Sequence, residues 1–109
     1  MELNVTGFIH EAQTNETSST GKVFKRIVVR VPARVNQFGE AVGQENFFEI
    51  TIFGQDKIEA AFENCNLELA EKGLAKCSAV CYVNGSRRNY EGKTFHNIQL
   101  TLKSIKWII

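Results

Sequence analysis

Two phenylalanines, Phe47 and Phe53, are predicted to lie on the face of a strand that a hydrophobic core would not use. Segment 46–54 is predicted to be a β-strand, in which side chains point alternately to two faces. One face carries an apolar row suited to a core: Phe48, Ile50 and Ile52. The two rings on the other face favour a partner that covers them, and a stacked nucleobase gains about 1–3 kcal/mol from such a ring. The alternative is that a loop or a second subunit covers them.

Basic side chains are concentrated in the segment that precedes this strand. Residues 22–34 contain five cations and no acid: Lys22, Lys25, Arg26, Arg30 and Arg34. The strand predicted over 22–31 places Arg26 and Arg30 on its outward face, with Arg34 just beyond its end. Cations there are expected to contact phosphates, so that binding weakens as salt increases. The alternative is an ordinary solvated strand face.

A second basic segment is predicted near the C-terminal end. Residues 84–94 read as a basic, glycine-containing turn between two strands. Its candidate binding residues are Arg87, Arg88, Tyr90 and Lys93. Such a turn can close over a nucleic-acid strand that is bound on a neighbouring face of the protein, and its arginines can stack on bases. The alternative is a charged hairpin tip with no ligand.

The composition indicates one globular domain. The chain has 109 residues, of which 43% are hydrophobic and 23% charged, and its net charge is +1. Acidic residues predominate in segment 56–72, so a polyanion-binding face and a solvated back can coexist on one molecule; the alternative is charge that is scattered over the surface and segregated only in sequence. There is no signal-like start and no apolar run of the ~20 residues that a membrane span needs. We therefore expect a cytoplasmic protein without a membrane partner.

The cysteines and acids do not form a catalytic or metal-binding pattern. Cys65, Cys77 and Cys81 contain no CxxC pair, and only His10 and His96 are available as further ligands. The cysteines are therefore interpreted as small core residues, and no metal or other cofactor is expected. A metal-dependent nuclease needs clustered carboxylates that hold the metal ion, and the sequence does not offer such a cluster. We expect that the protein is not an enzyme.

The elements occur in the order three strands, one helical region and two strands. Predicted strands over 3–9, 22–31 and 45–54 precede a helical region over 55–73 that Asn64 and Asn66 are suited to interrupt. Further strands are predicted over 76–85 and 95–102, with Ile98, Leu100 and Leu102 facing inward and a bulge near Lys103-Ser104. This order predicts an all-β fold, a five-stranded OB-fold Greek-key barrel with one helix between strands three and four. Such barrels bind oligonucleotides on strands two and three and with neighbouring loops.

Several segments, taken in order, resemble the bacterial single-stranded-DNA-binding proteins. Val5-Thr6-Gly7-Phe8-Ile9 is similar to their first strand, and 47–54 is similar to their third. Residues 81–85 resemble the fourth strand of the family. Glu71-Lys72-Gly73 resembles the family segment that precedes this fourth strand. Residues 98–102 resemble their last strand. The resemblance covers nearly the whole chain and supports a single domain over 1–109.

The resemblance implies a binding site for single-stranded DNA. The family's stacking aromatics correspond to Phe47 and Phe53, and a further one on the four-five loop corresponds to Tyr90. The family aromatic near the end of strand two has no match, since Ala33 or Arg34 stands there, and Phe38 is the nearest substitute. Binding largely without sequence preference to single-stranded DNA, with RNA as the alternative ligand, and assembly into dimers or tetramers are expected.

Two further expectations concern biological role. The resemblance implies a function in DNA replication, recombination and repair. The family's acidic C-terminal tail, which recruits partners, is not expected in the chain as given, which ends with Trp107-Ile108-Ile109 directly after the last predicted strand; the alternatives are a trimmed binding domain and a tail-less relative. The alternative function is an OB-fold protein-interaction module, for example in a primosomal or conjugative assembly.

Overall fold

Five long strands form a closed, mainly antiparallel barrel in the computed structural model, which describes residues 1–108. Their bounds are β1 Glu2–Ala12, β3 Val23–Val31, β6 Asn46–Phe53, β7 Lys76–Tyr90 and β8 Lys93–Ile108. Short strands β2 (Glu16–Thr17), β4 (Arg34–Val35) and β5 (Ala41–Val42) lie in the connections. The order around the barrel is β1-β7-β8-β6-β3, and β1 also pairs with β3. This is the five-stranded OB-fold arrangement that the sequence predicts.

The barrel interior contains the apolar rows that strand alternation predicts. Its completely buried members include Ile27, Val29, Ile50, Ile52, Cys77 and Cys81. Gly7 lies where β1 passes from β7 to β3, and a Cβ atom there would be 2.3 Å from the backbone oxygen of Arg30. Only glycine allows the two strands to approach this closely, so Gly7 is essential to the closure of the barrel.

The helical region consists of two helices between β6 and β7. Helix α1 covers Gln55–Phe62 and α2 covers Leu67–Glu71. The break falls at the asparagines, as predicted, and the side chain of Asn66 accepts a hydrogen bond from the backbone of Leu69 and caps α2. The indole of Trp107 donates a hydrogen bond of 2.7 Å to the carbonyl oxygen of Ala61, which fixes α1 against the end of β8.

The prediction of a basic turn over 84–94 is wrong in the extent of the turn. Strands β7 and β8 continue through it as a long hairpin, and its turn is only Glu91-Gly92. Both turn residues have positive φ, 50° and 77°, as a tight two-residue hairpin turn requires. Ile98, expected inside, is 76% exposed, because this part of the hairpin extends beyond the barrel.

The bulge predicted near Lys103-Ser104 is present. Val80 pairs with Ser104 and Cys81 pairs with Leu102, which leaves Lys103 as the extra residue. The bulge restores inward alternation for the end of β8, where Ile105 packs against the core. Among the described residues, no helix has the length and apolar character that crossing a bilayer requires.

Candidate nucleic-acid interface

The outward faces of β3 and β6 form one continuous surface. Across the antiparallel ladder, Arg30 pairs with Phe47, Arg26 with Thr51 and Phe24 with Phe53. Paired residues in such a ladder project to the same side, so these rings and guanidinium groups share one face. Phe47 is 52% exposed and Phe53 is half-buried. The two rings are six residue steps apart, which corresponds to about 20 Å along the strand.

Each of these rings has an aromatic neighbour that the sequence analysis did not include. Phe24 lies beside Phe53 with ring centroids 6.0 Å apart, and His10 meets the edge of Phe47 at 5.0 Å. Phe24 shares the outward parity of Arg26, a signal that was available in the sequence. His10 had no such signal, because the pairing of β1 with β3 shifts register between Ile9 and Glu11.

Both strand arginines are on the predicted face, but carboxylates already contact them. Arg26 lies 3.6 Å from Glu16 and 3.9 Å from Glu49, and Arg30 lies 3.6 Å from Glu45. The same guanidinium groups also cover rings: that of Arg30 is 5.1 Å from the ring centroid of Phe8. A phosphate that approached either arginine would replace a carboxylate.

Arg34 and Phe38 lie on the projecting hairpin formed by β4 and β5. Phe38 is 75% exposed at its tip, and Arg34 is exposed at its base. The amide oxygen of Asn36 accepts hydrogen bonds from the backbones of Phe38 and Glu40, at 2.9 and 3.0 Å, and so shapes the turn. The hairpin therefore presents a ring to solvent on an ordered turn.

The β7–β8 hairpin separates its two arginines. Arg88 pairs with Phe95 and Tyr90 pairs with Lys93, so these four side chains share a face of the ribbon. By strand alternation, these side chains point to the same side of the sheet as Thr101. Thr101 pairs with Thr51, which belongs to the outward surface of β6. An open pocket of about 330 Å³ is lined by Arg88, Tyr90, Phe95 and Asn97.

Arg87 lies on the opposite face of this ribbon. It pairs with His96, and its neighbours of equal parity include the exposed Ile98. The candidate residues of the hairpin are thus divided between two faces, with Arg88, Tyr90 and Lys93 on one and Arg87 on the other. Phe95, which the sequence analysis did not select, belongs to the first group.

The predicted binding residues are therefore distributed over three elements. The β3–β6 surface holds Arg26, Arg30, Phe47 and Phe53; the β4–β5 hairpin holds Arg34 and Phe38; the β7–β8 hairpin holds the others. A stacking surface, a ring on a projecting turn and an aromatic pocket can together accept several unpaired bases. Their part in binding stays a prediction.

Comparison with known structures identifies the fold. The yeast mitochondrial single-stranded-DNA-binding protein Rim1 superposes with a TM-score of 0.68 at 17% identity, over 99% of this chain and 94% of that one. A Plasmodium falciparum single-stranded-DNA-binding protein, solved in complex with single-stranded DNA, gives 0.59 at 10% identity over 98% and 91%. A small single-stranded-DNA-binding protein from Streptomyces coelicolor gives 0.59 at 12% identity over 100% and 94%.

The sequence matches no protein-family model and no curated protein. The similarity thus lies in the structure, over nearly the full length of both chains in each of the three comparisons. At these identities it establishes the fold. The chain has the OB-fold of the single-stranded-DNA-binding proteins, as the resemblance in sequence predicts.

Proposed function

We propose that this protein binds single-stranded DNA on the outward surface of β3 and β6, largely without sequence preference. The observation that carries the proposal is the half-exposed ring of Phe47 beside Arg30, on the OB-fold shared with single-stranded-DNA-binding proteins. An exposed ring next to a cation offers a base and its phosphate adjacent contacts. Such contacts do not read base edges, so sequence preference is expected to be small.

Stacking is proposed at three places along the bound strand. Phe47 and the pair Phe24–Phe53 serve the sheet surface, and the pocket beside Tyr90 serves the hairpin. Phe38 on the β4–β5 hairpin is proposed to add a further ring. Duplex DNA keeps its base faces stacked internally, so it is expected to bind weakly to the same surface.

Phosphate contacts are proposed for the cations around these rings. Arg26 and Arg30 act from the sheet, Arg34 from the β4–β5 hairpin, and Arg88 and Lys93 from the β7–β8 hairpin. Arg34, Arg88 and Lys93 form no ion pair among residues 1–108, so a phosphate would not have to replace a paired carboxylate at these three cations. Arg87 is also a candidate, from the far face of the ribbon. Each contact releases counterions, so affinity is expected to fall with salt.

The wider role that we propose is protection of single strands in DNA replication, recombination and repair. The protein is proposed to act in the cytoplasm as a homo-oligomer and without catalysis. Single-stranded RNA presents the same kinds of stacking bases and phosphates as single-stranded DNA, so weaker or comparable RNA binding is part of the proposal.

A second candidate function is protein assembly. The observation that favours it is that Arg26 and Arg30 are already paired with carboxylates, which leaves an apolar surface around Phe47 with little free positive charge. A protein partner would cover these rings in a stable interface. Such a module would show no salt-dependent affinity for oligonucleotides.

Fluorescence anisotropy with labelled oligothymidine, at low and moderate salt, distinguishes these functions. We expect saturable binding that weakens with salt and that an equal length of duplex does not reproduce. Phe47→Ala should lower affinity by about five- to 150-fold if the ring stacks one base. Leu74→Ala is the matched control, because Leu74 is 56% exposed and lies outside this surface. Absence of binding at low salt would contradict the proposal and favour the assembly module.

A further inference from the structure

A groove with an apolar floor opens between the two helices and the end of β1. Its volume is about 490 Å³, which is within the ~300–1,000 Å³ typical of ligand sites. Ile9 and Ile58 form its buried base, and Phe62 and Leu67 form its sides. Leu67 is 64% exposed although it lies beside this apolar surface, so the groove leaves room for an apolar side chain to cover it.

Three carboxylates surround this floor. Glu11 lies at the end of β1, Glu59 on α1 and Glu71 on α2, and all three are exposed lining residues. None of them forms an ion pair within residues 1–108. The groove therefore presents uncompensated negative charge around an apolar centre.

The one lysine in the groove does not neutralise these carboxylates. The ammonium of Lys25 donates a hydrogen bond of 3.4 Å to the amide oxygen of Asn15 and lies 5.5 Å from the ring centroid of Phe62. Its charge is thus directed at an amide and an aromatic face within the groove wall. A negatively charged ligand, including the phosphates of a nucleic acid, would meet three carboxylates that form no ion pair among the described residues; only Glu59 accepts a hydrogen bond, from the amide of Gln55.

We propose that this groove binds a short segment of a partner protein, in which an aromatic or aliphatic side chain is flanked by lysine or arginine. The apolar side chain would fill the space beside Leu67 and Phe62, and the cations would meet Glu59 and Glu71. This chemistry follows from charge complementarity around the groove and from its unfilled apolar floor.

The groove and the proposed DNA surface lie on opposite sides of β3. Lys25 points into the groove, whereas its neighbour Phe24 points to the outward surface. His10 lines the groove and its ring lies 5.0 Å from that of Phe47, so the two sites adjoin at this residue, but neither Phe47 nor Phe53 itself lines the groove. The protein is expected to hold its peptide and a single strand of DNA together, as an adaptor would.

The test uses ¹⁵N-labelled full chain and three amidated peptides, read by amide chemical shifts. Lys-Arg-Trp-Leu-Arg-Lys carries both features, Glu-Asp-Trp-Leu-Asp-Glu reverses the charge, and Lys-Arg-Ser-Gly-Arg-Lys removes the apolar anchor. We expect saturable shifts at Ile58, Phe62 and Leu67 with the first peptide only. Shifts confined to other surfaces, or equal binding of either control peptide, would overturn the proposal, as would no binding at millimolar peptide.

Variants locate the contacts. Leu67→Ser is expected to weaken the peptide about tenfold by removing apolar contact. The double change Glu59→Gln and Glu71→Gln is expected to weaken it about three- to tenfold and to lessen its salt dependence. The matched controls are Leu74→Ser and Glu40→Gln, which are exposed and outside the groove. Equal losses in the controls would overturn the assignment.

Two further outcomes are decisive. Shifts of the groove amides that depend on protein concentration without peptide would show that a second copy occupies the groove, and would overturn the proposal. Oligothymidine added to the peptide complex should shift residues around Phe47 without releasing the peptide. This readout is independent of peptide affinity, so failure of DNA binding and failure of the groove proposal are separately visible.

Discussion

Phe24 lies beside Phe53, with ring centroids 6.0 Å apart and ring planes inclined by 43°. The contact joins two strands, because Phe24 is on β3 and Phe53 is its partner on β6. The guanidinium of Arg26 lies 5.3 Å from the centroid of Phe24. The stacking surface is therefore wider at this end than β6 alone would provide.

Phe24→Ala is predicted to weaken binding of oligothymidine nearly as much as Phe53→Ala. A base on this pair would contact both rings, so each loss is expected within the ~1–3 kcal/mol of a stacked base. The double variant should lose less than the sum, because the two residues share a contact. Anisotropy titrations check this, with circular dichroism to confirm folding. Fully additive losses would indicate that the two rings do not share a base.

Removing carboxylates from the β3–β6 surface is predicted to strengthen DNA binding. Glu45 and Glu49 lie 3.6 and 3.9 Å from the arginines that we propose for phosphate contact. Glu45→Gln and Glu49→Gln should each increase affinity by up to about fivefold at low salt, since an exposed pair is worth ~0.2–1 kcal/mol. Glu68→Gln, on α2, is the control. Unchanged affinity in the first two variants would show that Glu45 and Glu49 do not compete with phosphates, although Glu16 would still lie 3.6 Å from Arg26.

The adjacent arginines of the β7–β8 hairpin are predicted to differ. Arg88 shares its face with Tyr90, whereas Arg87 pairs with His96 on the other face. Arg88→Ala should reduce affinity and lower the slope of log affinity against log salt by about 0.7, the value for one phosphate on a single strand. Arg87→Ala should have a smaller effect in the same titration. The reverse order would place the bound strand on the other side of the ribbon.

Strand alternation explains why much of this architecture was predictable. The inward rows containing Ile27 and Ile50 have period two, so the β3–β6 ladder and its outward rings follow from sequence alone. The long β7–β8 hairpin could not be predicted in this way. Its glycine and basic residues are typical of a turn, but the backbone continues to pair through them. Its extension past the barrel left Ile98 exposed without any change in its periodicity.

Contacts between distant segments were not visible in the sequence. The carboxylate of Glu16 approaches Arg26 from the short strand β2, and that of Glu45 approaches Arg30 from the connection before β6; both placements depend on the folded barrel. His10 reaches Phe47 through a register shift that only the β1–β3 pairing reveals. Local pattern therefore predicted which residues share a face, but not which charges are already paired there.

The buried thiols are predicted to resist modification at pH 8. Burial raises the pKa of Cys77 and of Cys81 to about 11, whereas Cys65 is only half-buried. The thiolate is the reactive form, so a chromogenic disulfide reagent should label Cys65 first and the other two only on unfolding. Mass spectrometry of the labelled chain checks the order. Prompt labelling of all three in folded protein would contradict the buried positions.

The same pKa values predict how stability changes with pH. In the unfolded chain these two thiols have their ordinary pKa of 9.0, but in the folded chain burial raises the pKa to about 11. The stabilisation that results is complete below pH 9 and is lost as pH rises towards 11. Urea midpoints should therefore fall between pH 9 and 11. Constant midpoints across this range would contradict it.

Gly7→Ala is predicted to destabilise the barrel and to disturb the DNA surface together. The added Cβ would lie 2.3 Å from the backbone oxygen of Arg30, and backbone on both strands must then move. Overpacking of this kind costs about 1–3 kcal/mol or more, which urea denaturation would measure. Since the displaced residue is Arg30 itself, its position beside Phe47 should change as well, and affinity for oligothymidine should fall.

The control for this prediction is Gly85→Ala. Gly85 lies on the projecting part of β7, and a Cβ there would meet no atom within 4 Å. This variant should keep the stability and the oligothymidine affinity of the parent chain. If Gly7→Ala were equally neutral, β1 and β3 would have to separate without cost at their crossing. The closure of the barrel would then not be what positions Arg30, and the link between fold and binding surface would fail at its first step.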